Sequence, residues 1–316
     1  MNIVIAAGGL NESHRAKLTD LLAGHQTCFV SGLGEAECRR HLAVADIIFG
    51  NLPPAWLSSA DRLQWVQLDS AGVDSYLPVV RALRGGKVQF TNLRDFYGRA
   101  VAEVVLAGIL AFYRRLPSLL FAQPQRQWIK SQVEPAIGQL HGARAIILGA
   151  GSIGLRIGAL LTAFECDVIY YARSSPQARL RTLDELDLAL GTSDLVINTL
   201  PHTPQTQGLM NRERLGLLPP RAVFVNAGRG SILDETALVE LLRNDRLAGA
   251  VLDVTQVEPL PPESALWNLS QVILTQHTGG RFPGETEAKI AVFADNFQRF
   301  LQHQPLQNPV DESRGY

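Results

Sequence analysis

The sequence predicts an α/β protein made of two doubly wound parallel-sheet domains. Short apolar runs alternate with helix-period segments along most of its length, as strands and covering helices of a parallel sheet do. A long helical segment beginning near residue 99 breaks the alternation, which then resumes with stronger strands. The length, 316 residues, suits two domains better than one.

In the first half, strand-like runs fall at 2–6, 46–49, 65–68 and 88–91. A helix is expected over 11–23, with Leu18, Leu21 and Leu22 at helical spacing. Residues 99–116 read as one long helix stopped by Pro117, followed by a more polar helical stretch to about Trp128. Nearly continuous apolar runs follow at 145–148, 168–171, 195–198, 222–226, 249–253 and 272–275, as strands buried on both faces should be. A final helix over 284–302 carries Ile290, Val292, Phe293, Phe297 and Phe300, and pattern alone leaves open which sheet it covers.

Composition narrows the function. Apolar residues are 46% and charged residues 19%, ordinary for a folded protein. Net charge is −1, from 29 Lys and Arg against 30 Asp and Glu, so nucleic acid and anionic membrane are not expected partners. Cys28, Cys38 and Cys166 are odd in number and form no CxxC pair, which argues against a disulfide framework or a metal site. The first residues, Met-Asn-Ile-Val-Ile-Ala-Ala-Gly, lack a basic segment ahead of their short apolar run and read as a strand. A cytoplasmic location is the expectation.

The strand at 145–148 runs into Gly149-Ala-Gly151-Ser152-Ile153-Gly154 and then a helical pattern. Gly149 suits a tight turn, Gly151 lets a pyrophosphate approach the backbone, and Gly154 allows close helix–strand packing. Free N–H groups at the start of the helix then hold the phosphates. With another strand at 168–171, this is a Rossmann-like dinucleotide fingerprint. A carboxylate for the ribose hydroxyls is absent at the end of that strand, which reads Tyr171-Ala172-Arg173-Ser174. Arg173 and Ser174 suit a 2′-phosphate instead, so NADP(H) is expected over NAD(H), the alternative cofactor.

Three segments follow later strands: Asn226-Ala227-Gly228-Arg229-Gly230, Leu252-Asp253 through Glu258-Pro259, and Thr275-Gln276-His277-Thr278-Gly279-Gly280. Arginine, glutamate and histidine together suit the reduction of a 2-oxo acid. A guanidinium can take the carboxylate and polarise the neighbouring carbonyl, and an imidazolium can protonate the developing alkoxide. A carboxylate beside the histidine favours its charged form.

In this order, GAGSIG, LPHTPQT (200–206), NAGRGSILDE, LDVTQVEPLP and QHTGG resemble the D-isomer-specific 2-hydroxyacid dehydrogenase family. The resemblance extends to Asp69-Ser70-Ala71-Gly72-Val73-Asp74 and Ala102-Glu103, and is greatest for glyoxylate/hydroxypyruvate reductases. It implies that Arg229 binds the substrate carboxylate and 2-oxo group, that Glu258 orients and charges His277, and that His277 is the acid–base residue. It places Asp253 on the nicotinamide carboxamide and Ala227 and Gly228 near the nicotinamide ribose. Leu200, Pro201 and His202 would line the cofactor cleft, with Gly279 and Gly280 near the nicotinamide. The Ala71–Gly72 backbone would reach the substrate carboxylate from the other domain, with the active site in the cleft between the two.

Two departures stand out: Gly279-Gly280-Arg281 replaces a commoner Ala-Gly or Ser-Gly pair, and His202 stands where Leu or Asn is usual. As a residue, His202 reads as a loop histidine rather than a phosphate ligand. His14, His25, His41 and His303 read as solvated, His141 as lacking partners in sequence, and Glu103 as pairing within the structure. Trp128 reads as packing, although in similar reductases a residue here reaches the partner subunit's site. Tyr76 and Tyr97 are candidates to border the substrate.

The expectation is therefore a cofactor domain at 96–282 and a discontinuous substrate domain at 1–95 and 283–316. The predicted activity is NADPH-dependent reduction of a small 2-oxo acid of glyoxylate or hydroxypyruvate type, and the resemblance implies a homodimer joined through the helix at 101–113 and its neighbour. The rivals are an NAD-linked D-lactate or phosphoglycerate dehydrogenase and a cofactor-sensing corepressor-like protein on the same fold.

Overall fold

The computed structural model describes residues 1–84, 88–312 and 315. The chain divides into two compact units, Met1–Phe96 with Phe282–Tyr316, and Tyr97–Arg281. Both contain a parallel sheet covered by helices.

In the first unit the elements are β1 (Asn2–Ile5), α1 (Glu12–Leu21), β2 (Gln26–Phe29), α2 (Glu35–Ala43), β3 (Ile47–Phe49), α3 (Pro54–Leu57), β4 (Trp65–Gln67), α4 (Leu77–Arg84) and β5 (Gln89–Thr91). Strand order is β2-β1-β3-β4-β5, and every pairing is parallel. β3 and β4 are buried along their whole length. Four of these elements escape the apolar pattern. β2, Gln-Thr-Cys-Phe, is a half-covered edge strand without a continuous apolar run, α2 carries five charged or imidazole side chains in nine residues, and α3 and α4 are short.

The second unit begins with α5 (Gly98–Tyr113), α6 (Leu116–Ala122) and α7 (Lys130–Val133). The two helical stretches expected around Pro117 are present as α5 and α6, but the break between them falls earlier, after Tyr113, and the second ends at Ala122. Arg115 adopts a left-handed conformation (φ 56°) that ends the first, and Pro117 lies in the first turn of the second, where its missing N–H costs nothing. Trp128 is 89% exposed and joins no core cluster among the described residues, where Glu103 too is exposed and without an ion pair, so neither expectation holds.

The sheet follows: β6 (Arg144–Leu148), α8 (Ser152–Ala163), β7 (Asp167–Tyr171), α9 (Leu183–Leu190), β8 (Leu195–Asn198), α10 (Arg212–Leu217), β9 (Val223–Asn226), α11 (Glu235–Arg243), β10 (Gly249–Leu252) and β11 (Val272–Leu274). Its order is β11-β10-β9-β8-β6-β7, parallel throughout. Succession reverses between β6 and β8, and the crevice beyond the carboxyl ends of those strands is where such sheets bind ligands.

The last helix, α12 (Glu285–Leu301), belongs to the first unit. Phe293 stacks on Phe49 at 4.4 Å and on Trp65 at 5.4 Å, which settles the question its pattern left open. Packing against α12 also buries His14, whose Nε2 lies 2.7 Å from Glu287 Oε1; it is not solvated as expected. His141, expected to lack partners, pairs through Nδ1 with Glu165 at 2.6 Å. No single helix among the described residues is long and apolar enough to cross a membrane.

Candidate active site

Gly149 ends β6 at φ 104°, a conformation that side chains avoid, and a Cβ there would stand 2.7 Å from Thr199 Oγ1. A Cβ on Gly154 would fall 2.1 Å from Gly149 O, so the helix can start this close to the turn only with glycine. Around Gly151, by contrast, nothing lies within 4 Å of a Cβ position. Gly151 is the N-cap of α8 and supplies no side-chain cap, so the N–H groups at Ser152 and Ile153 are left to an incoming group. A tight turn, an open approach and uncapped donors fit a pyrophosphate. At the far end of β7, Arg173 and Ser174 are exposed.

Two buried amides organise the neighbouring strand ends. Asn198 and Asn226, the last residues of β8 and β9, are fully buried, and Asn198 Nδ2 donates to Asn226 Oδ1 at 2.8 Å. Asn226 Oδ1 also accepts from Gly228 N (3.2 Å), its Nδ2 donates to Arg229 O (3.1 Å), and Asn198 Oδ1 accepts from Leu200 N (3.2 Å). This relay shapes both loops, the one carrying Leu200, Pro201 and His202 and the one carrying Ala227, Gly228 and Arg229. Sequence reasoning did not single these residues out, although a polar residue closing a buried apolar strand is a visible signal. His202 Nδ1 is paired with Ser231 Oγ at 2.8 Å, which ties the first loop to the second.

Arg229 follows β9, and its Nη1 donates to Gly228 O at 2.8 Å. Beyond β10, Asp253 is buried, and its Oδ1 accepts from Thr275 Oγ1 at 2.6 Å and from Gly279 N at 3.2 Å. A Cβ on Gly279 would stand 2.7 Å from Asp253 Oδ2, and one on Gly280 3.0 Å from the Tyr97 ring. The departure seen in the sequence therefore has a packing reason: this turn is pressed against Asp253 and Tyr97.

Glu258 and His277 are brought together directly. His277 Nδ1 lies 2.6 Å from Glu258 Oε2, while Glu258 Oε1 accepts from Thr255 N at 3.0 Å. Backbone strain accompanies the pair: Gln276 (φ 52°) and His277 (φ 55°) are both left-handed, held there in part by His277 N donating to Asp253 O at 2.6 Å. With Nδ1 occupied, Nε2 is the ring atom left for chemistry, and the side chain is about half exposed. A cavity of about 400 Å³ beside the pair is lined by Leu252, Leu260, Trp267 and Leu274 among others. Burial pushes the Glu235 carboxyl above its ordinary range, helped by the nearby charge of Glu258; that carboxylate accepts Gln256 N and steadies the Glu258 loop.

In the first unit, Ala71 and Gly72 follow β4. Their carbonyls accept from Asn92 Nδ2 and Ser70 Oγ respectively, each at 2.8 Å. Their N–H groups have no acceptor among the described residues, a state suited to an anion. Tyr76, expected near the substrate, is buried, and its hydroxyl donates to Leu52 O at 2.6 Å; its place is structural.

A glycine turn that fits a pyrophosphate at the switch point of one parallel sheet, with Arg229, Asp253 and His277 after three successive strands, points to a nicotinamide-dependent dehydrogenase. Known proteins agree. The model of the D-isomer-specific 2-hydroxyacid dehydrogenase NAD-binding domain matches residues 106–279. A glyoxylate/hydroxypyruvate reductase B of Pectobacterium carotovorum is 32% identical over 280 residues, 85% of this chain and 87% of its own. A glyoxylate/hydroxypyruvate reductase of Arabidopsis thaliana is 29% identical over 271 residues, 85% of this chain and 83% of its own. Among solved structures, an NADPH-dependent glyoxylate/hydroxypyruvate reductase of Sinorhizobium meliloti, in complex with NADP and sulfate, superposes with a TM-score of 0.83 at 26% identity, covering 99% of both chains. This chain belongs to the D-isomer-specific 2-hydroxyacid dehydrogenase family of NAD(P)-dependent oxidoreductases.

Proposed function

We propose that this chain reduces a small 2-oxo acid of glyoxylate or hydroxypyruvate type, with NADPH as the preferred cofactor. The observation that carries the reading is the Glu258–His277 pair, which occupies Nδ1 and leaves Nε2 for a proton transfer, with Arg229 two strands away. Gly149, Gly151, Ser152, Ile153 and Gly154 would hold the pyrophosphate, and Arg173 and Ser174 a 2′-phosphate. The cofactor supplies the hydride. Arg229 takes the substrate carboxylate and draws charge from the 2-oxo group. His277 donates its Nε2 proton to the oxygen at C2, while Glu258 holds the ring in that orientation and stabilises its charged form. Asp253 is positioned by Thr275 and Gly279 for the carboxamide. The absence of a carboxylate from Ala172 through Ser174 supports the cofactor preference, since none is there to repel a 2′-phosphate.

A panel of 2-oxo acids assayed with NADPH and NADH tests both halves. Glyoxylate or hydroxypyruvate should be turned over with higher kcat/KM for NADPH. A clear preference for NADH would overturn the cofactor assignment, and no turnover of any 2-oxo acid would overturn the reaction.

A further inference from the structure

The loop after β7, residues 172–181, carries Arg173, Arg179 and Arg181 and no carboxylate. It folds back on its own strand: Ala172 N donates to Leu180 O, while Arg179 N and Leu180 N both donate to Tyr170 O, each at 3.1 Å. The return brings Arg181 beside the loop's first residues. There its guanidinium forks across two main-chain carbonyls, with Nη1 donating to Arg173 O at 3.3 Å and Nη2 to Ser175 O at 3.1 Å. Behind the fork, Arg181 N donates to Glu185 Oε2 at 2.6 Å, and the same oxygen accepts Thr182 N at 3.0 Å in the capping box of α9. The fork is thus anchored to a helix start. Arg173 and Ser174 differ: both are exposed, and their side chains have no hydrogen-bond partner among the described residues.

We propose that Arg181 is a positioning residue for cofactor choice. Its fork fixes the backbone from Arg173 to Ser175, so that the Arg173 guanidinium and the Ser174 hydroxyl are held ready for one 2′-phosphate. It also ties up two carbonyl dipoles whose negative ends would oppose that phosphate. The inference rests on the NADP(H) reading above and adds the group that preorganises the loop. A planar guanidinium can span two carbonyls in this way, whereas a lysine ammonium brings the charge without the fixed fork.

The test compares KM for NADPH and for NADH in the wild type, R181K, R181A and R173A. Preorganisation predicts that the ratio of KM for NADPH to KM for NADH rises about tenfold in both R181K and R181A, close to the R173A value, with the change in KM rather than kcat. The proposal is overturned if R181K keeps the wild-type ratio, because charge alone would then suffice. It is equally overturned if neither variant moves the ratio, or if KM rises equally for both cofactors. A wild type that prefers NADH sinks the NADP(H) reading together with this one. A wild type that prefers NADPH beside unmoved variants sinks this one alone.

Discussion

Hydrogen-bonded polar side chains occur in both units but join different things. In the unit built on β6 to β11 they tie strand ends to one another and to loops: buried Asn198 to Asn226, buried Asp253 to Thr275, and, on the exposed side, Glu258 to His277, at 2.8, 2.6 and 2.6 Å. In the unit built on β1 to β5 they connect a helix to a sheet. Trp65 Nε1 donates to Thr91 Oγ1, which donates to Gln67 Oε1, and Asn296 Nδ2 of α12 donates to the same Gln67 oxygen, at 2.9, 2.8 and 2.9 Å. Around that network the aromatic stack of Phe49, Trp65 and Phe293 supplies apolar burial. Similar hydrogen bonds therefore brace the candidate site in one unit and tie a covering helix to its sheet in the other.

The largest expected effect breaks the comparison at its functional end. His277→Ala removes the proton donor on our reading, and general acid catalysis of this kind contributes about 100- to 10,000-fold. Single-turnover and steady-state kinetics should show a kcat loss in that range, with cofactor binding by fluorescence titration retained. Because the side chain is about half exposed, the melting temperature should barely move. A variant with near wild-type kcat would remove His277 from the mechanism.

A matched pair of asparagines sharpens the contrast. Asn226→Ala and Asn296→Ala each leave a fully buried partner amide short of a hydrogen bond, at a cost of about 1–3 kcal/mol in denaturant unfolding. Their effects on catalysis should part. Asn226→Ala frees Gly228 N and Arg229 O and should lower kcat/KM for the oxo acid by roughly tenfold, the size expected when an aligned group shifts. In Asn296→Ala, kcat/KM should follow the folded fraction alone. Equal catalytic losses in the two variants would mean that the amide relay does not position Arg229.

The contrast also explains what could be read from the sequence. In the second unit, continuous apolar strands such as Ala145–Ile146–Ile147–Leu148 and the glycines after them mark both the fold and the candidate phosphate turn, because close backbone approach admits few residue types. The first unit was half legible. Edge strand β2 is too polar, and α2 too highly charged, to show a strand or a strong apolar stripe, and their stability comes from neighbours distant in the chain. The break between α5 and α6 falls at Arg115 rather than at Pro117, because a left-handed arginine leaves no sign in residue type. The histidine burial was missed for a similar reason: His14 is covered by a helix 273 residues away. For the Gly279-Gly280 turn, the sequence showed an oddity, and only the buried Asp253 beside it supplied the cause.

The smallest effect concerns Tyr76, which separates packing from substrate contact in the first unit. Burial, with the charge of Asp69 adding to it, pushes the phenol from its ordinary value near 10 up to about 12. In the unfolded chain it ionises near 10, so the folded state alone keeps the proton between the two values. The stability this group contributes is complete below pH 10 and declines by about 1.4 kcal/mol per pH unit as pH rises toward 12. Tyr76→Phe lacks this ionisation but also lacks the bond to Leu52 O, a loss of about 1 kcal/mol at pH 8. Urea midpoints should therefore favour the wild type at pH 8, converge as pH rises past 10, and cross before pH 12. Because the hydroxyl is engaged with Leu52 rather than with a ligand, kcat/KM at neutral pH should change less than about twofold once corrected for folded fraction. A variant with parallel midpoints at every pH would show that the phenol is not held neutral by the fold. One with a large rise in substrate KM would return Tyr76 to the binding site.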